Sequence, residues 1–368
     1  MRWTRLIKPA YLVLQDGSFY EGESFGSNDT AIGELVFNTS MTGYQEMLTD
    51  PSYSGQIVMP TYPIIGNYGI NEDDMESNSI KVSGFVVREH CLDPSHSTSI
   101  MNLSDYLISN GIPGISGIDT RSLVRKIRSS GVMMGMIAID ISPEEALSSI
   151  KNHPEYDTKN FVEEVSTTEK YSWGENDNAP LILVSDYGLK YNILRILRSK
   201  GFRVMALPSK TTYEEISEIR PQGILLSPGP GDPALLNTQI DIAKQLLGEI
   251  PMMGICLGHQ IIARAFGAET FKLKFGHRGG NHPVKDEHSS RVYITSQNHG
   301  YAVDFKNLPT DLVVSHTNLN DGTIEGLEHK DLPIMSIQYH SEASPGPLDN
   351  IYLFDKFLSK VENYWNNK

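Results

Sequence analysis

The sequence is short of cysteine, of tryptophan, of positive charge and of long apolar runs. Only Cys91 and Cys256 stand among its 368 residues. Two thiols so far apart are no disulfide framework, which points to a reducing compartment. Lys and Arg number 31 against 45 Asp and Glu, a formal net charge of −14. That balance argues against nonspecific binding to nucleic-acid phosphates. No apolar run reaches the length needed to cross a bilayer. The run at residues 10–14, after Arg2, Arg5 and Lys8, is too short for the apolar core of a signal peptide. The expectation is a cytoplasmic protein that contacts neither nucleic acid nor membrane. Glycine, by contrast, is plentiful at 31, and a composition of 39% hydrophobic and 21% charged residues is ordinary for a globular chain. The length predicts two or three domains.

The stretch at residues 251–267, PMMGICLGHQIIARAFG, reads as an apolar strand, a turn and an amphipathic helix. Cys256 sits at the turn, with Gly254 and Gly258 two residues to either side. A sharp strand-to-helix turn needs residues without a Cβ where the backbone folds back. It also lifts the central side chain clear of both elements. The helix N-terminus behind it offers free N–H groups and a partial positive charge, a field that favours the reactive thiolate. An isolated cysteine is more often a buried structural thiol. Flanking glycines at a strand–helix junction reverse that balance.

Residues 11–25 read as a hairpin turned at Asp16-Gly17, and residues 33–38, 56–60, 80–88 and 132–139 as further strands. Residues 39–51 are polar and turn-rich. Residues 102–110, with Ser104 as cap, and 119–129 read as helices. Residues 1–153 are therefore expected to form a β-rich α+β domain, followed by a polar connection over 154–179. From residue 181 onward the strands LILVSD, FRVMALP, GILLSPGPGDP and PMMGIC alternate with helices over 190–200, 213–220 and 239–247. This predicts an α/β domain over 180–368, with an open, mostly parallel sheet flanked by helices. Ligands of such sheets bind beyond the carboxyl ends of the strands, where Cys256 and the glycines at 229 and 231 fall.

A cysteine nucleophile needs a base, and the base needs a group that orients it. Among 11 histidines, His340 stands out. Residues 332–342, LPIMSIQYHSE, read as an apolar strand ending in His340-Ser341-Glu342. Residues two apart on an extended chain share a face. Glu342 can then accept from one ring nitrogen while the other faces Cys256. Alone, such a pair is more often a solvated strand end. His259, three residues past Cys256, competes for the role but points along the helix. Donors for a developing oxyanion are offered by the Pro228-Gly229-Pro230-Gly231 loop and the N–H of Leu257.

Three of these motifs, LSPGPGDP at 226–233, GICLGHQ at 254–260 and YHSE at 339–342, resemble the class I (triad) glutamine amidotransferases. Four more resemble the small-subunit family of carbamoyl-phosphate synthase: FNTSMTGYQEMLTDPSYSGQIV, SGIDTRSLVRKIR, KFGHRGGNHPVKD and SQNHGYAV. The resemblance spans nearly the whole chain and implies a glutaminase. Cys256 would attack the side-chain amide of glutamine. His340 would carry the proton to the leaving nitrogen and then activate water, and Glu342 would orient His340. The same resemblance places L-glutamine on Ser40, Gly229, Gly231, Leu257, Gln260, Asn298, Gly300 and Tyr301, with Ser40 reaching in from the first domain. Tyr301 stands where the family usually has phenylalanine. DYGLK at 186–190 follows Ser185 instead of the usual aromatic and reads as structural.

No metal or cofactor is expected on this chain, which has no G-x-x-x-x-G-K-[ST] phosphate loop. ATP, a divalent cation and bicarbonate are expected on a large synthetase subunit. The resemblance makes that subunit an obligatory partner, in a heterodimer or higher oligomer. It would dock mainly on the first domain and receive ammonia through an internal tunnel. The alternatives are a glutaminase subunit serving another acceptor, a standalone γ-glutamyl hydrolase, and a noncatalytic regulatory subunit of the same fold.

Overall fold

The structure is a computed structural model that describes residues 8–175 and 178–368. Arg2 and Arg5 lie outside the described residues. The chain divides into two compact units, Met1–Lys159 and Asn160–Lys368.

The first unit contains β1 (Pro9–Leu14), β2 (Phe19–Gly26), β3 (Ala31–Asn38), α1 (Tyr44–Thr49), β4 (Gln56–Pro60), β5 (Ile64–Ile65), β6 (Gly84–Val86), β7 (Glu89–His90), α2 (Leu103–Ser109), β8 (Pro113–Ser116), α3 (Thr120–Ser130), β9 (Met133–Ile139) and α4 (Pro143–Asn152). Seven strands close into a barrel in the order β1-β2-β8-β6-β4-β3-β9, while β5 pairs with β7 apart from it. Closure removes the unpaired edges of an open sheet. The first hairpin forms as its turn residues dictate. Gly17 takes a φ of +86°, and the Asp16 carboxylate accepts from the Ser18 N–H at 3.1 Å.

Three local readings differ from what forms. Within residues 80–88 only Gly84–Val86 is strand, because the Lys81 N–H donates to Leu48 and the Ser83 N–H to Gln56 before the ladder begins. The cap of α2 is Asn102, whose side chain accepts from the Asp105 N–H at 2.8 Å, and Ser104 lies inside the helix. Residues 39–51 include the buried helix α1.

The second unit contains α5 (Val162–Val165), β10 (Tyr171–Trp173), β11 (Leu181–Asp186), α6 (Tyr191–Ser199), β12 (Arg203–Pro208), α7 (Tyr213–Ile219), β13 (Gly223–Leu226), α8 (Asn237–Leu246), β14 (Met252–Ile255), α9 (Leu257–Ala265), β15 (Thr270–Asp286), β16 (Val292–Val303), β17 (Leu312–Asn318), β18 (Ile324–His329), β19 (Ile334–Ile337) and α10 (Tyr352–Asn366). One sheet runs in the order β10-β12-β11-β13-β14-β19-β18-β17-β15-β16. Its parallel heart is β12, β11, β13, β14 and β19. Antiparallel strands extend it on both sides.

Alternate residues of the parallel strands serve opposite faces. Ile182 and Val184 pack with Ile193 and Leu197 of α6 and with Phe354 and Phe357 of α10. Leu181 and Leu183 pack with Ile216 of α7, Leu246 of α8 and Ile261 of α9. Burial on both faces is why these strands read as unbroken apolar runs. The stretch expected to be a connection supplies part of this unit. Its β10 pairs with β12 through Tyr171 and Ala206, and Trp173 lies 5.0 Å from the Tyr191 ring. An edge strand of three residues carries no legible period. Among the described residues, no helix is long and apolar enough to cross a membrane.

Candidate functional site

Cys256 follows β14 and caps α9, with φ 52° and ψ −104°. A non-glycine residue reaches that region only at a cost. The flanking glycines permit the turn by close packing, since the left-handed residue is the cysteine itself. A Cβ on Gly254 would lie 2.6 Å from the backbone of Gly258, and one on Gly258 would lie 2.1 Å from the Leu226 carbonyl. The elbow is also tied to both neighbouring strands. The Cys256 N–H donates to Ile337 at 2.8 Å and the Gly258 N–H to Ser227 at 3.1 Å. The glycine-proline loop after β13 presses on the same helix end. A Cβ on Gly229 would sit 2.2 Å from the Tyr187 carbonyl and 2.8 Å from the Leu257 side chain. Gly231 turns the loop with a φ of +90°.

The strand expected to carry His340 stops at Ile337. Beyond it the chain makes a single bridge to β16, where the His340 N–H donates to Ser296 at 2.9 Å. His340 Nδ1 donates to Glu342 Oε1 at 2.6 Å, with both side chains buried. Nε2 has no hydrogen-bond partner among the described residues. Burial opposes a charge on this ring, but Glu342 and the Cys256 sulfur outweigh it and raise its pKa to about 10. Burial likewise opposes the charge on Glu342, yet His340 and Lys190 bring that pKa down to about 2.

Lys190 is the residue the sequence reading missed. It is 2% exposed, and its Nζ lies 3.3 Å from Glu342 Oε1 and donates to the Ala343 carbonyl. Asn192 Nδ2 donates to the carbonyl of Glu342 itself. A lysine beginning a helix is ordinary in sequence. Only its complete burial, which requires an anionic partner, marks it.

The remaining expected positions of this unit gather around the elbow. Cys256 Sγ lies 3.7 Å from the Asn298 carbonyl. Gln260 Nε2 donates to the Tyr301 carbonyl at 2.9 Å and to Gln338 at 3.0 Å. This lays the 298–301 stretch of β16, with Gly300, along α9. His259 is not part of the array. Its ring is fully buried against Ser336 Oγ at 2.9 Å, and burial, followed by His316, lowers its pKa to about 3. Ser40 lies in the first unit, in the turn between β3 and α1. Its N–H donates to Asn38 at 2.7 Å, and its buried Oγ has no hydrogen-bond partner among the described residues.

A helix-capping cysteine at the end of a doubly covered parallel sheet, beside a histidine–glutamate pair, defines a class, and residues 183–360 match the model of the class-I glutamine amidotransferases. Residues 12–137 match that of the carbamoyl-phosphate synthase small chain, CPSase domain. Curated relatives agree over their whole length. The carbamoyl phosphate synthase small chain of Aquifex aeolicus is 48% identical, covering 96% of this chain and 99% of that protein. The protein of that name from Staphylococcus haemolyticus is 49% identical, covering 98% of each. The chain belongs to the carbamoyl phosphate synthase small chain family.

Proposed function

We propose that this chain is the glutaminase component of carbamoyl-phosphate synthase and that Cys256, His340 and Glu342 carry the chemistry. The observation that bears most weight is the buried His340–Glu342 pair at 2.6 Å, whose ring is electrostatically coupled to the sulfur of Cys256. The Cys256 sulfur attacks the side-chain carbonyl carbon of glutamine. The Nε2 proton of His340 goes to the departing nitrogen, leaving ammonia and a γ-glutamyl thioester. Nε2 then takes a proton from water, which attacks the thioester and releases glutamate and the sulfur. Glu342 fixes the ring and balances its charge through both steps. The N–H groups of Leu257 and Gly229 stabilise the oxyanion. Gly229, Gly231, Leu257, Gln260, Asn298, Gly300 and Tyr301 hold the amino acid.

Ammonia is useful as a nucleophile only while it stays unprotonated, so it passes to the large synthetase subunit without meeting bulk water. ATP and a divalent cation act there. The test is synthesis by the assembled enzyme. Cys256→Ser abolishes glutamine-dependent synthesis and leaves synthesis from ammonium salts. Loss of both activities would make Cys256 structural and overturn the proposal.

A further inference from the structure

A second buried cluster lies behind the strand that carries Asn298, Gly300 and Tyr301. His299 Nδ1 meets the Tyr301 carbonyl at 2.7 Å, and its Nε2 meets Gln297 Oε1 at 2.9 Å. Gln297 Nε2 donates to Glu325 Oε2 at 3.0 Å and to Thr295 Oγ1 at 3.1 Å. Glu325 Oε1 accepts from Asn318 Nδ2 at 2.7 Å and lies 3.5 Å from His277 Nδ1. His277 Nε2 ends the chain on Asp321 at 2.8 Å. Glu325 and Gln297 are 0% and 1% exposed. One polar atom from each of His277, His299 and Glu325 lies within 4.8 Å of the others. These residues already engage one another and their neighbours by hydrogen bonds, so the cluster is closed by protons and does not call for a cation.

Counting donors constrains the protons. A carbonyl only accepts, so Nδ1 of His299 carries a hydrogen. If Glu325 is ionised, the Gln297 amide turns its NH₂ to the carboxylate and its oxygen to the ring. Nε2 must then be protonated too. If the ring is neutral, as burial and the neighbouring His277 favour, Nε2 accepts from a turned-over Gln297. The Gln297 oxygen then faces Glu325, which must be protonated. Both arrangements hold one proton beyond a neutral ring and an ionised acid.

We propose that Glu325 and Gln297 are positioning residues of the glutamine pocket, sharing one buried proton with His299 and so keeping its Nδ1–H on the Tyr301 carbonyl. That carbonyl also accepts from Gln260 of α9, so it holds one hydrogen bond within its own strand and one to the neighbouring helix. The link to glutamine rests on the function proposed above.

The test compares Glu325→Leu with Glu325→Gln in the assembled enzyme. The glutamine side chain can stand in for the protonated acid, donating where its proton was. Glu325→Leu raises KM for glutamine by about tenfold or more with kcat within about threefold, while Glu325→Gln keeps KM within about threefold of native. An unchanged KM in folded Glu325→Leu, or equal damage from both variants, overturns the proposal. Should Glu325→Leu not fold, ring-nitrogen NMR of the native full-length chain decides. Nδ1 of His299 stays protonated across about pH 6–9, and an unprotonated Nδ1 overturns the proposal. Absence of any glutaminase activity in the native enzyme would refute the glutamine reading alone, while the ring measurement still judges the Nδ1–H of His299 on the Tyr301 carbonyl.

Discussion

Replacing Glu342 with glutamine separates orientation from charge at the centre of the site. The substitution keeps an acceptor for His340 Nδ1 but removes the anion that also faces Lys190 Nζ at 3.3 Å. Both cations then lose the carboxylate between them while remaining buried, since His340 and Lys190 are each 2% exposed. Breaking a buried pair from one side costs about 3–5 kcal/mol. The loss depends on pH in a definite direction. Glu342 titrates at about 2 instead of 4.5, so its contribution is present above 4.5 and lost as pH falls towards 2. His340 titrates at about 10 instead of 6.5, so its contribution is full below 6.5 and lost as pH rises through 10. Urea unfolding of native and variant should therefore differ most between about pH 4.5 and 6.5, with the gap closing towards pH 2 and narrowing as pH rises through 10, where the Lys190 pairing still remains. Activity should fall by about 10²–10⁴ in kcat, because an amide can hold the wrong ring tautomer. Adding Lys190→Met to Glu342→Gln should restore much of the stability and none of the activity. Equal denaturation midpoints for native and Glu342→Gln at about pH 6, with kcat within threefold, would show that the Glu342 charge supports neither stability nor turnover.

Gly258→Ala should cost on the order of 3 kcal/mol or fail to fold, because its Cβ would fall 2.1 Å from the Leu226 carbonyl oxygen, a backbone atom that cannot turn aside. An unchanged melting temperature would show that the elbow is looser than described. Asn102→Ala should cost about 1 kcal/mol in thermal unfolding by uncapping α2, with Asn102→Asp close to native.

The parallel half of the second unit was legible because LILVSD and its companions are buried on both faces, and helices with one apolar stripe separate them. β15 to β18 were not, because they mix exposed and buried positions, and β15 shifts register twice against β16. The helix α4 is marked in the sequence by Ser142 and Glu145, which form a capping box, with Pro143 at the first helical position. Cys256, His340 and Glu342 stood out through glycine spacing and a two-residue offset. His340 and Glu342 do meet, but not as alternate residues of a strand, since the chain has left the strand by His340. Lys190, Gln297 and Glu325 were silent because a polar residue gives no local sign that folding will bury it. The contacts that tie them across the fold are long-range, 28 residues apart for Gln297–Glu325 and 152 for Lys190–Glu342.

The most direct measurement is to quench the enzyme during glutamine turnover and find where the substrate is bound by mass spectrometry. One γ-glutamyl group is expected, on Cys256, absent from Cys256→Ser and accumulating when Glu342 is replaced. Turnover with the acyl group on another residue, or undiminished turnover in Cys256→Ser, would contradict it.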